Sequence, residues 1–494
     1  CGQHVSLCTN QTFACDTMPN LVIGVEICED LWAPAPPSVE LARKGATVIL
    51  NLSASNELVG KADYRRSLVT GQSARLMCGY VYADAGEGES TTDVVFTGHN
   101  MIAENGTLLA ERRFATGLTV SEIDVDRLIH DRRRTNTFTF GKEPPEIWRC
   151  GFTLPVEETR LTRYVSPSPF VPEDAAGRAE RCEEILRIAS LGLKKRLEHT
   201  GAKTAVVGLS GGLDSTLALL ICSRACRALK RPASDILAVT MPGFGTTDRT
   251  HDNAVTMCRL LGVELREIPI SECCLRHFAD IGHDPAERTT TYENVQARER
   301  TQILMDLANK TGGLVVGTGD LSEIALGWST YNGDHMSMYA VNCSIPKTLI
   351  RCLIEHIAEE SSPELAATLT DINNTPVSPE LLPPSDDGTI EQKTEDVLGP
   401  YDLHDFFLFH FIKYGAEPDK ILHLAEHAFR GEFQPDFIRR CLGIFIRRFF
   451  RQQFKRSCMP DGPKVGTISL SPRGDWRMPS DACGTVWEKA VPHY

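Results

Sequence analysis

Residues 208–215 read Gly-Leu-Ser-Gly-Gly-Leu-Asp-Ser, and this glycine-rich stretch is the most informative one in the chain. An apolar, β-branched run at 204–207 precedes it, and a helical pattern at 216–222 follows it. This order predicts a glycine-rich turn between a strand and a helix, which directs free backbone N–H groups and the positive end of the helix dipole at an anion. The ending of the stretch differs from the Gly-Lys-Ser/Thr of a Walker A loop.

The region after this turn alternates short apolar runs with longer helical patterns. That alternation predicts an α/β fold with a doubly wound, Rossmann-like parallel sheet, in which ligands bind beyond the carboxyl ends of the strands. Residues 361–400 are polar and rich in Pro, Asp, Ser and Thr, which predicts a loop or lid beside the site, and the remaining C-terminal region is predicted to be helical and then irregular. Strands are predicted at 204–208, 235–241, 263–270 and 314–317, and helices at 176–199, 250–261 and 293–310.

The first part of the chain carries a second α/β pattern. The Asn-Gly pair at 105–106 predicts a tight hairpin turn between 93 and 112, and the alternation over 117–125 predicts a final strand. A chain of 494 residues is too long to fold around one hydrophobic core, so its length predicts more than one domain. We predict domains at 1–135 and 176–494, joined by an irregular, proline-rich linker at 136–175. The other predicted elements are strands at 21–25, 47–52 and 80–83 and helices at 37–45 and 61–78.

Composition excludes several function classes. The net charge of −13 argues against a nucleic-acid binder held by bulk electrostatics. The basic residues between 439 and 456 are therefore predicted to form a solvated or inter-subunit helix face, the latter in a homo-oligomer. No apolar run approaches the roughly 20 residues of a membrane span, and residues 1–20 lack a secretory signal pattern. The 17 cysteines, odd in number and without a Cys-x-x-Cys pair, predict reduced thiols in a cytoplasmic protein and no zinc site.

The turn at 208–215 resembles the pyrophosphate-binding loop of the ATP pyrophosphatases, enzymes that cleave ATP to AMP and pyrophosphate. Ser210 and Ser215 can donate hydrogen bonds to phosphate oxygens, and Asp214 is placed to hold Mg²⁺. Further motifs follow in order, and the ordered series resembles the family of glutamine-dependent NAD synthetases over essentially the whole chain. These motifs lie at 291–298, 317–323, 327–334, 345–348, 394–401, 454–457 and 471–477.

Cys28 follows a predicted buried strand and precedes two carboxylates. A thiol at such a strand end can act as a nucleophile when a base and a cation lie nearby, although a buried structural cysteine is the simpler alternative. Residues 20–130 resemble the nitrilase-like glutamine amidases, in which this cysteine is the nucleophile. The resemblance implies the C-terminal part of an α-β-β-α sandwich, with Ser55 and Lys61 as glutamine contacts.

The resemblance to the synthetase family implies a two-step reaction. The carboxylate of deamido-NAD attacks the α-phosphate of ATP and releases pyrophosphate, and ammonia from glutamine then displaces AMP from the acyl-adenylate. Mg²⁺ is the implied cofactor. The implied ATP contacts are Gly208, Leu209, Ser210, Gly211, Gly212, Leu213, Asp214, Ser215, Thr318 and Lys347, the deamido-NAD contacts are Asn294, Glu323, Trp328 and Lys455, and the metal ligands are Asp214 and Glu323.

One departure from the family pattern concerns the glutaminase. Such amidases use a Glu base and a Lys upstream of the cysteine, whereas no lysine and only Glu26 of that carboxylate type precede Cys28. We expect a chain truncated at its N-terminus that works with ammonia and not with glutamine. The alternatives are another ATP-pyrophosphatase enzyme, such as a GMP, asparagine or argininosuccinate synthetase or a tRNA thiolase, and a non-catalytic nucleotide-binding protein.

Overall fold

The chain divides into two compact units, Cys1–Val165 and Ser166–Tyr494. The predicted linker at 136–175 and the predicted loop at 361–400 lie partly outside the residues that the structure describes. The structure is a computed structural model that describes residues 8–9, 11–90, 92–138, 148–378, 381–382 and 394–491.

The first unit is built on one mixed sheet with the strand order β6-β5-β4-β3-β2-β1-β7. A short 3₁₀ helix at Cys28–Trp32 follows β2. The strands are β1 (Gln11–Cys15), β2 (Val22–Ile27), β3 (Val48–Ser53), β4 (Gly79–Asp84), β5 (Asn100–Glu104), β6 (Thr107–Arg112) and β7 (Trp148–Phe152), and the helices are α1 (Pro37–Arg43), α2 (Lys61–Leu76) and α3 (Val125–Arg134).

The core of this unit lies where α1 and α2 cover the sheet. Leu41 of α1 and Val69 of α2 are buried in one cluster with Ile49 of β3, because parallel strands need a helix on their face. The hairpin predicted around residues 105–106 is confirmed by the antiparallel pair β5–β6. The strand predicted at 117–125 is wrong: these residues form no strand, and Val125 begins α3.

The second unit contains a five-stranded, fully parallel sheet followed by a helical region. A 3₁₀ turn at Ala233–Asp235 precedes β9. The strands are β8 (Ala205–Gly208), β9 (Ile236–Thr240), β10 (Glu264–Glu267), β11 (Leu314–Gly317) and β12 (Tyr339–Ala340), and the helices are α4 (Ala175–Thr200), α5 (Leu213–Ala228), α6 (Asp248–Leu261), α7 (Ser271–Ile281), α8 (Thr290–Thr311), α9 (Leu321–Leu326), α10 (Lys347–Glu359), α11 (Pro363–Asn373), α12 (Thr394–Leu398), α13 (Tyr401–Tyr414), α14 (Pro418–Ala428), α15 (Pro435–Arg451), α16 (Gln453–Ser457) and α17 (Thr485–Ala490).

The strand order of the second sheet is β10-β9-β8-β11-β12. The chain runs outward from β8 to one edge and then returns to the other side of β8, so the direction of winding reverses between β8 and β11. This confirms the predicted doubly wound sheet and fixes its switch point, where ligands bind in such folds. The central strands are almost wholly buried, as expected when helices cover both faces.

Residues 363–373 correct the prediction of a continuous loop at 361–400. They form α11, which begins with Pro363 at its first position and buries Leu369 and Ile372. Polar composition concealed this helix because only its inner face is apolar. Among the residues that the structure describes, no helix is long and apolar enough to cross a membrane.

Candidate active site

A cavity of about 780 Å³ opens in the second unit at the carboxyl ends of β8 and β11. It therefore lies at the switch point of the sheet, where two neighbouring strands send their following loops in opposite directions. Of the residues that the sequence assigned to ATP and deamido-NAD, all but Gly211 and Lys347 line it. These lining residues are Gly208, Leu209, Ser210, Gly212, Leu213, Asp214, Ser215, Asn294, Thr318, Glu323, Trp328 and Lys455.

The glycine-rich turn joins β8 to α5 with geometry that needs glycine at one position. Gly211 has a φ of +85°, and a Cβ there would lie 2.0 Å from the backbone oxygen of Thr250. Gly212 is the N-cap of α5 and donates its N–H to Ser210 Oγ at 3.3 Å. The amino end of this 16-residue helix therefore borders the cavity and favours an anion there.

Three carboxylates converge on one buried ammonium group beside this turn. Lys347 Nζ lies 2.5 Å from Asp214 Oδ2, 2.6 Å from Asp320 Oδ2 and 3.1 Å from Glu323 Oε1. Asp214 comes from the start of α5, Asp320 and Glu323 from the start of α9, and Lys347 from the start of α10. We call these four residues the carboxylate cluster. One lysine cannot neutralise all three carboxylates when they are ionised, so a further cation would stabilise their ionised forms.

The protonation of the carboxylate cluster reflects both burial and mutual repulsion. Burial raises the pKa of Glu323 to about 7, and it raises the pKa of Asp320 well above its usual value. Burial alone lowers the pKa of Lys347, but the three carboxylates outweigh burial and hold that pKa well above its usual value. Lys347 is therefore a permanent cation within the cluster.

The donor set of the cluster fits Mg²⁺. Oxygen atoms of Asp214, Asp320 and Glu323 lie within 4.8 Å of one another, and hard cations such as Mg²⁺ prefer carboxylate oxygens. Within the described part of the chain, Asp214 Oδ1 is buried and accepts no hydrogen bond. That oxygen is consequently available to a metal ion.

Sequence reasoning missed Asp320 as a member of this cluster. Asp320 is the N-cap of α9, and its Oδ1 accepts the N–H of Glu323 at 2.8 Å. The signal was present, because Asp320 and Glu323 have the spacing of an N-cap and the third helical residue directly after a predicted strand. The cavity also has lining residues that the sequence did not assign, among them Arg300, Tyr331, Arg448 and Phe454.

The residues assigned to deamido-NAD come from α8, from the start and the end of α9, and from α16. Asn294 Oδ1 accepts the hydroxyl of Thr330 at 2.7 Å. The guanidinium of Arg448 lies 5.0 Å from the ring centroid of Trp328, within cation–π range. Lys455 Nζ donates to the backbone oxygens of Gly327 and Ser329 at 2.8 and 2.6 Å.

Three basic side chains near the C-terminus correct the prediction of a solvated helix face. Arg448 donates to Leu326 O at 2.9 Å, Arg456 donates to Ala325 O at 2.8 Å, and Lys455 binds the carbonyls named above. These cations surround the carboxyl end of α9, where backbone oxygens lack helical partners and the dipole is negative. Burial, with the nearby charge of Arg448, lowers the pKa of Lys455 to about 8. Other members of the run, Arg440, Arg447 and Arg451, are exposed as predicted.

In the first unit, Cys28 begins the 3₁₀ helix directly after β2 and has a φ of +50°. A positive φ is uncommon for a residue other than glycine and marks a sharp turn of the kind that presents nucleophiles at strand ends. The N–H of Cys28 donates to Asn51 Oδ1 at 2.9 Å. Glu26 accepts hydrogen bonds from Ser38 N–H at 2.7 Å and from the Tyr80 hydroxyl.

Ser55 and Lys61 follow β3, the parallel neighbour of β2, and so lie toward the same edge of the sheet as Cys28. Ser55 donates its N–H to Asp84 Oδ1 at 2.8 Å, and its Oγ accepts from buried Arg65 at 3.1 Å. Lys61 Nζ donates to the backbone oxygen of Asn56 at 2.8 Å. These bonds hold the segment between β3 and α2 in place.

Comparison with known proteins agrees with this arrangement. The family model described as NAD synthase matches residues 185–430. The glutamine-dependent NAD(+) synthetase of Mycobacterium tuberculosis strain H37Rv is 43% identical over 521 residues, covering 98% of this chain and 76% of that protein. The one of Mycobacterium leprae is 44% identical over 522 residues, covering 97% and 76%.

A solved structure supports the fold. The crystal structure of a glutamine-dependent NAD(+) synthetase from Cytophaga hutchinsonii superposes with a TM-score of 0.54 at 21% identity, covering 96% of this chain and 74% of that one. The identity with the mycobacterial proteins over nearly the whole chain decides the family among the ATP-pyrophosphatase alternatives. This chain belongs to the family of glutamine-dependent NAD(+) synthetases.

Proposed function

We propose that this chain catalyses the ATP-dependent amidation of deamido-NAD to NAD⁺ through an acyl-adenylate, with AMP and pyrophosphate as products. One observation carries the proposal: a single cavity is lined by the glycine-rich turn, by Asp214 and Glu323 of the carboxylate cluster, and by the four residues assigned to deamido-NAD. The turn suits a pyrophosphate group, the cluster suits a cation on phosphate oxygens, and the remaining wall suits a second nucleotide.

The first step asks the protein mainly for positioning and for neutralisation of charge. The deamido-NAD carboxylate attacks the α-phosphorus, the bond to the bridging oxygen breaks, and the electron pair leaves with pyrophosphate. Backbone N–H groups of the turn and the hydroxyls of Ser210 and Ser215 stabilise the negative charge that develops on the leaving group. Asp214 and Glu323, with Asp320 beside them, would hold Mg²⁺, which would supply positive charge at the phosphate oxygens.

The second step replaces AMP by ammonia at the activated carbonyl. Trp328 offers an aromatic surface and Lys455 a cation on the wall assigned to deamido-NAD, so the nicotinate end is held while ammonia attacks. Thr318, which follows β11 and lines the cavity, is a proposed ATP contact, and Lys347 keeps the carboxylates of the cluster together.

Glutamine is the proposed source of ammonia when the Glu base and the Lys of the amidase pattern are also supplied, because no lysine and only Glu26 of that carboxylate type precede Cys28. The supplied Glu base takes the proton of the Cys28 thiol, the sulfur attacks the glutamine amide carbon, and the proton passes to the leaving nitrogen, which departs as ammonia. Water then hydrolyses the thioester, which releases glutamate and restores the thiol. The positive φ of Cys28 at a strand end supports this role. Ser55 and Lys61 are the proposed glutamine contacts. The domain limits 1–135 and 176–494, a cytoplasmic location and a homo-oligomer stay predictions.

Product analysis tests the synthetase proposal directly. Incubation of the chain with ATP, deamido-NAD, Mg²⁺ and ammonium is expected to yield NAD⁺, AMP and pyrophosphate in equal amounts. Asp214→Asn keeps the shape of the side chain but removes its charge, and we expect kcat to fall about 10²–10³-fold, as for loss of one electrostatic contact to a transition state. Asp252→Asn is the matched control, because Asp252 is solvent-exposed. Formation of ADP and phosphate, or full activity in Asp214→Asn, would contradict the proposal.

A further inference from the structure

Asp405 is a buried carboxylate in the second turn of α13 that lies outside the set of cavity-lining residues. Its Oδ1 accepts the hydroxyl of Ser322. Its Oδ2 accepts both the N–H of Thr348, at 3.0 Å, and the hydroxyl of Thr348, at 2.7 Å. Three donors thus converge on one buried carboxylate, a set that favours its ionised form although burial raises the pKa of Asp405 to about 6.

The donors belong to two of the three helices that carry the carboxylate cluster, α9 and α10. Ser322 lies in the first turn of α9 directly before Glu323, and Thr348 lies in the first turn of α10 directly after Lys347. Ser322 Oγ also accepts the N–H of Lys347 at 2.9 Å. The amino ends of α9 and α10 are therefore joined through one side chain of a third helix.

This arrangement replaces an ordinary helix cap. The N-cap of α10 is Pro346, whose side chain makes no cap hydrogen bond, yet the first N–H groups of α10 need acceptors. Ser322 serves the N–H of Lys347, and Asp405 serves the N–H of Thr348. A cap drawn from another helix fixes the position of α10 relative to α9, which a cap drawn from the preceding residue would leave undetermined.

We propose that Asp405 is a positioning residue of the synthetase site: through Ser322 and Thr348 it sets the distance between Lys347 and Glu323. This inference rests on the proposed role of the carboxylate cluster in holding Mg²⁺ on ATP. Lys347 Nζ and Glu323 Oε1 are 3.1 Å apart, so a small shift of α10 against α9 changes the metal-binding oxygens directly. A displacement of about 1 Å in a catalytic group can lower turnover about 10²-fold.

Two sets of variants test the proposal at pH 8, where Asp405 is ionised. Asp405→Asn removes the charge and one acceptor, and Asp402→Asn is its control, because Asp402 lies on the same helix and is partly exposed. Thr348→Val removes only the hydroxyl that donates to Asp405, whereas Thr348→Ser keeps it. The second pair keeps the test valid if Asp405→Asn fails to fold. Thermal unfolding, kcat, KM for ATP and the Mg²⁺ concentration for half-maximal rate are measured for each.

We expect Asp405→Asn to lower kcat about 10–10²-fold and to raise the half-saturating Mg²⁺ concentration. Thr348→Val is expected to show the same changes more weakly, and Thr348→Ser to retain wild-type values. A folded Asp405→Asn variant with wild-type kcat and Mg²⁺ dependence, or equal kcat in Thr348→Val and Thr348→Ser, overturns the proposal. The variant Glu323→Gln distinguishes failure of this inference from failure of the proposed function. If Glu323→Gln and Asp405→Asn are both fully active, the proposed role of the carboxylate cluster is wrong. If Glu323→Gln is inactive while Asp405→Asn is fully active, only the positioning role of Asp405 is wrong.

Discussion

Replacing Lys347 by Met is the sharpest perturbation of the carboxylate cluster. Methionine keeps most of the length of the side chain and removes the only cation that lies within 3.1 Å of all three carboxylates in the described residues. Lys347 is buried, and breaking a buried ion pair from one side costs about 3–5 kcal/mol because a charge is left uncompensated. At about 2–4 °C per kcal/mol, that is a fall of about 6–20 °C in Tm. We expect a fall in the lower part of this range, because the Tm of a larger domain changes less for each kcal/mol of lost stability.

The pH dependence of this variant has a definite sign. Burial already raises the pKa of Glu323 to about 7 with Lys347 present, and loss of the cation raises the carboxyl pKa values further. The folded state then binds more protons than the unfolded state near neutral pH, so stability increases as pH falls. We expect the Tm deficit of Lys347→Met to shrink between pH 8 and pH 6, while the control Lys194→Met, a surface lysine paired with Glu198, shows no such deficit.

The assay is thermal unfolding of four proteins with and without MgCl₂: wild type, Lys347→Met, Asp320→Asn and the double variant. We expect Mg²⁺ to raise the Tm of Lys347→Met more than that of wild type, because three unopposed carboxylates attract the cation more strongly. Removing the charge of Asp320 relieves repulsion once Lys347 is gone, so the double variant is expected to be more stable than Lys347→Met. A Tm of Lys347→Met within 1 °C of wild type, or a double variant no more stable than the single one, would refute the reasoning.

Two further predictions concern the turn and the first unit. Gly211→Ala is expected to lower the free energy of unfolding by at least about 1–2 kcal/mol, because the φ of Gly211 is +85° and the added Cβ would lie 2.0 Å from Thr250 O. The control Gly212→Ala is expected to keep the wild-type stability, because its Cβ would meet only Ser210 Oγ, at 3.4 Å. Equal Tm values for the two variants would contradict this prediction. In a version of the chain that also carries the upstream Glu base and Lys of the amidase pattern, Cys28→Ala is expected to abolish NAD⁺ synthesis supported by glutamine and to leave synthesis supported by ammonium unchanged. Cys273→Ala, at an exposed cysteine, is the control, and glutamine-dependent synthesis by Cys28→Ala would exclude the nucleophilic role.

Local signals in the sequence were sufficient for the parallel sheet and for most of the cavity. A glycine-rich turn between an apolar run and a helical pattern depends on residues that are neighbours in the chain, so residues 208–215 could be assigned to an anion site from sequence. The same holds for β11 and the motif that follows it. The sequence patterns gave wrong predictions for two segments. Residues 117–125 alternate in polarity but form no strand, and α11 was predicted as loop because its outer face is polar.

Contacts between distant parts of the chain were decided by the tertiary structure alone. Asp405 meets Ser322 across 83 residues and Arg456 meets Ala325 across 131, and nothing in the local sequence relates the members of either pair. A buried carboxylate or guanidinium needs partners, but which partners it finds depends on how α9, α10, α13 and α16 pack. Local patterns therefore predict the sheet and the residue types that line its carboxyl edge. The placement of one lysine among three carboxylates depends on tertiary packing, because the starts of three helices must meet at one point.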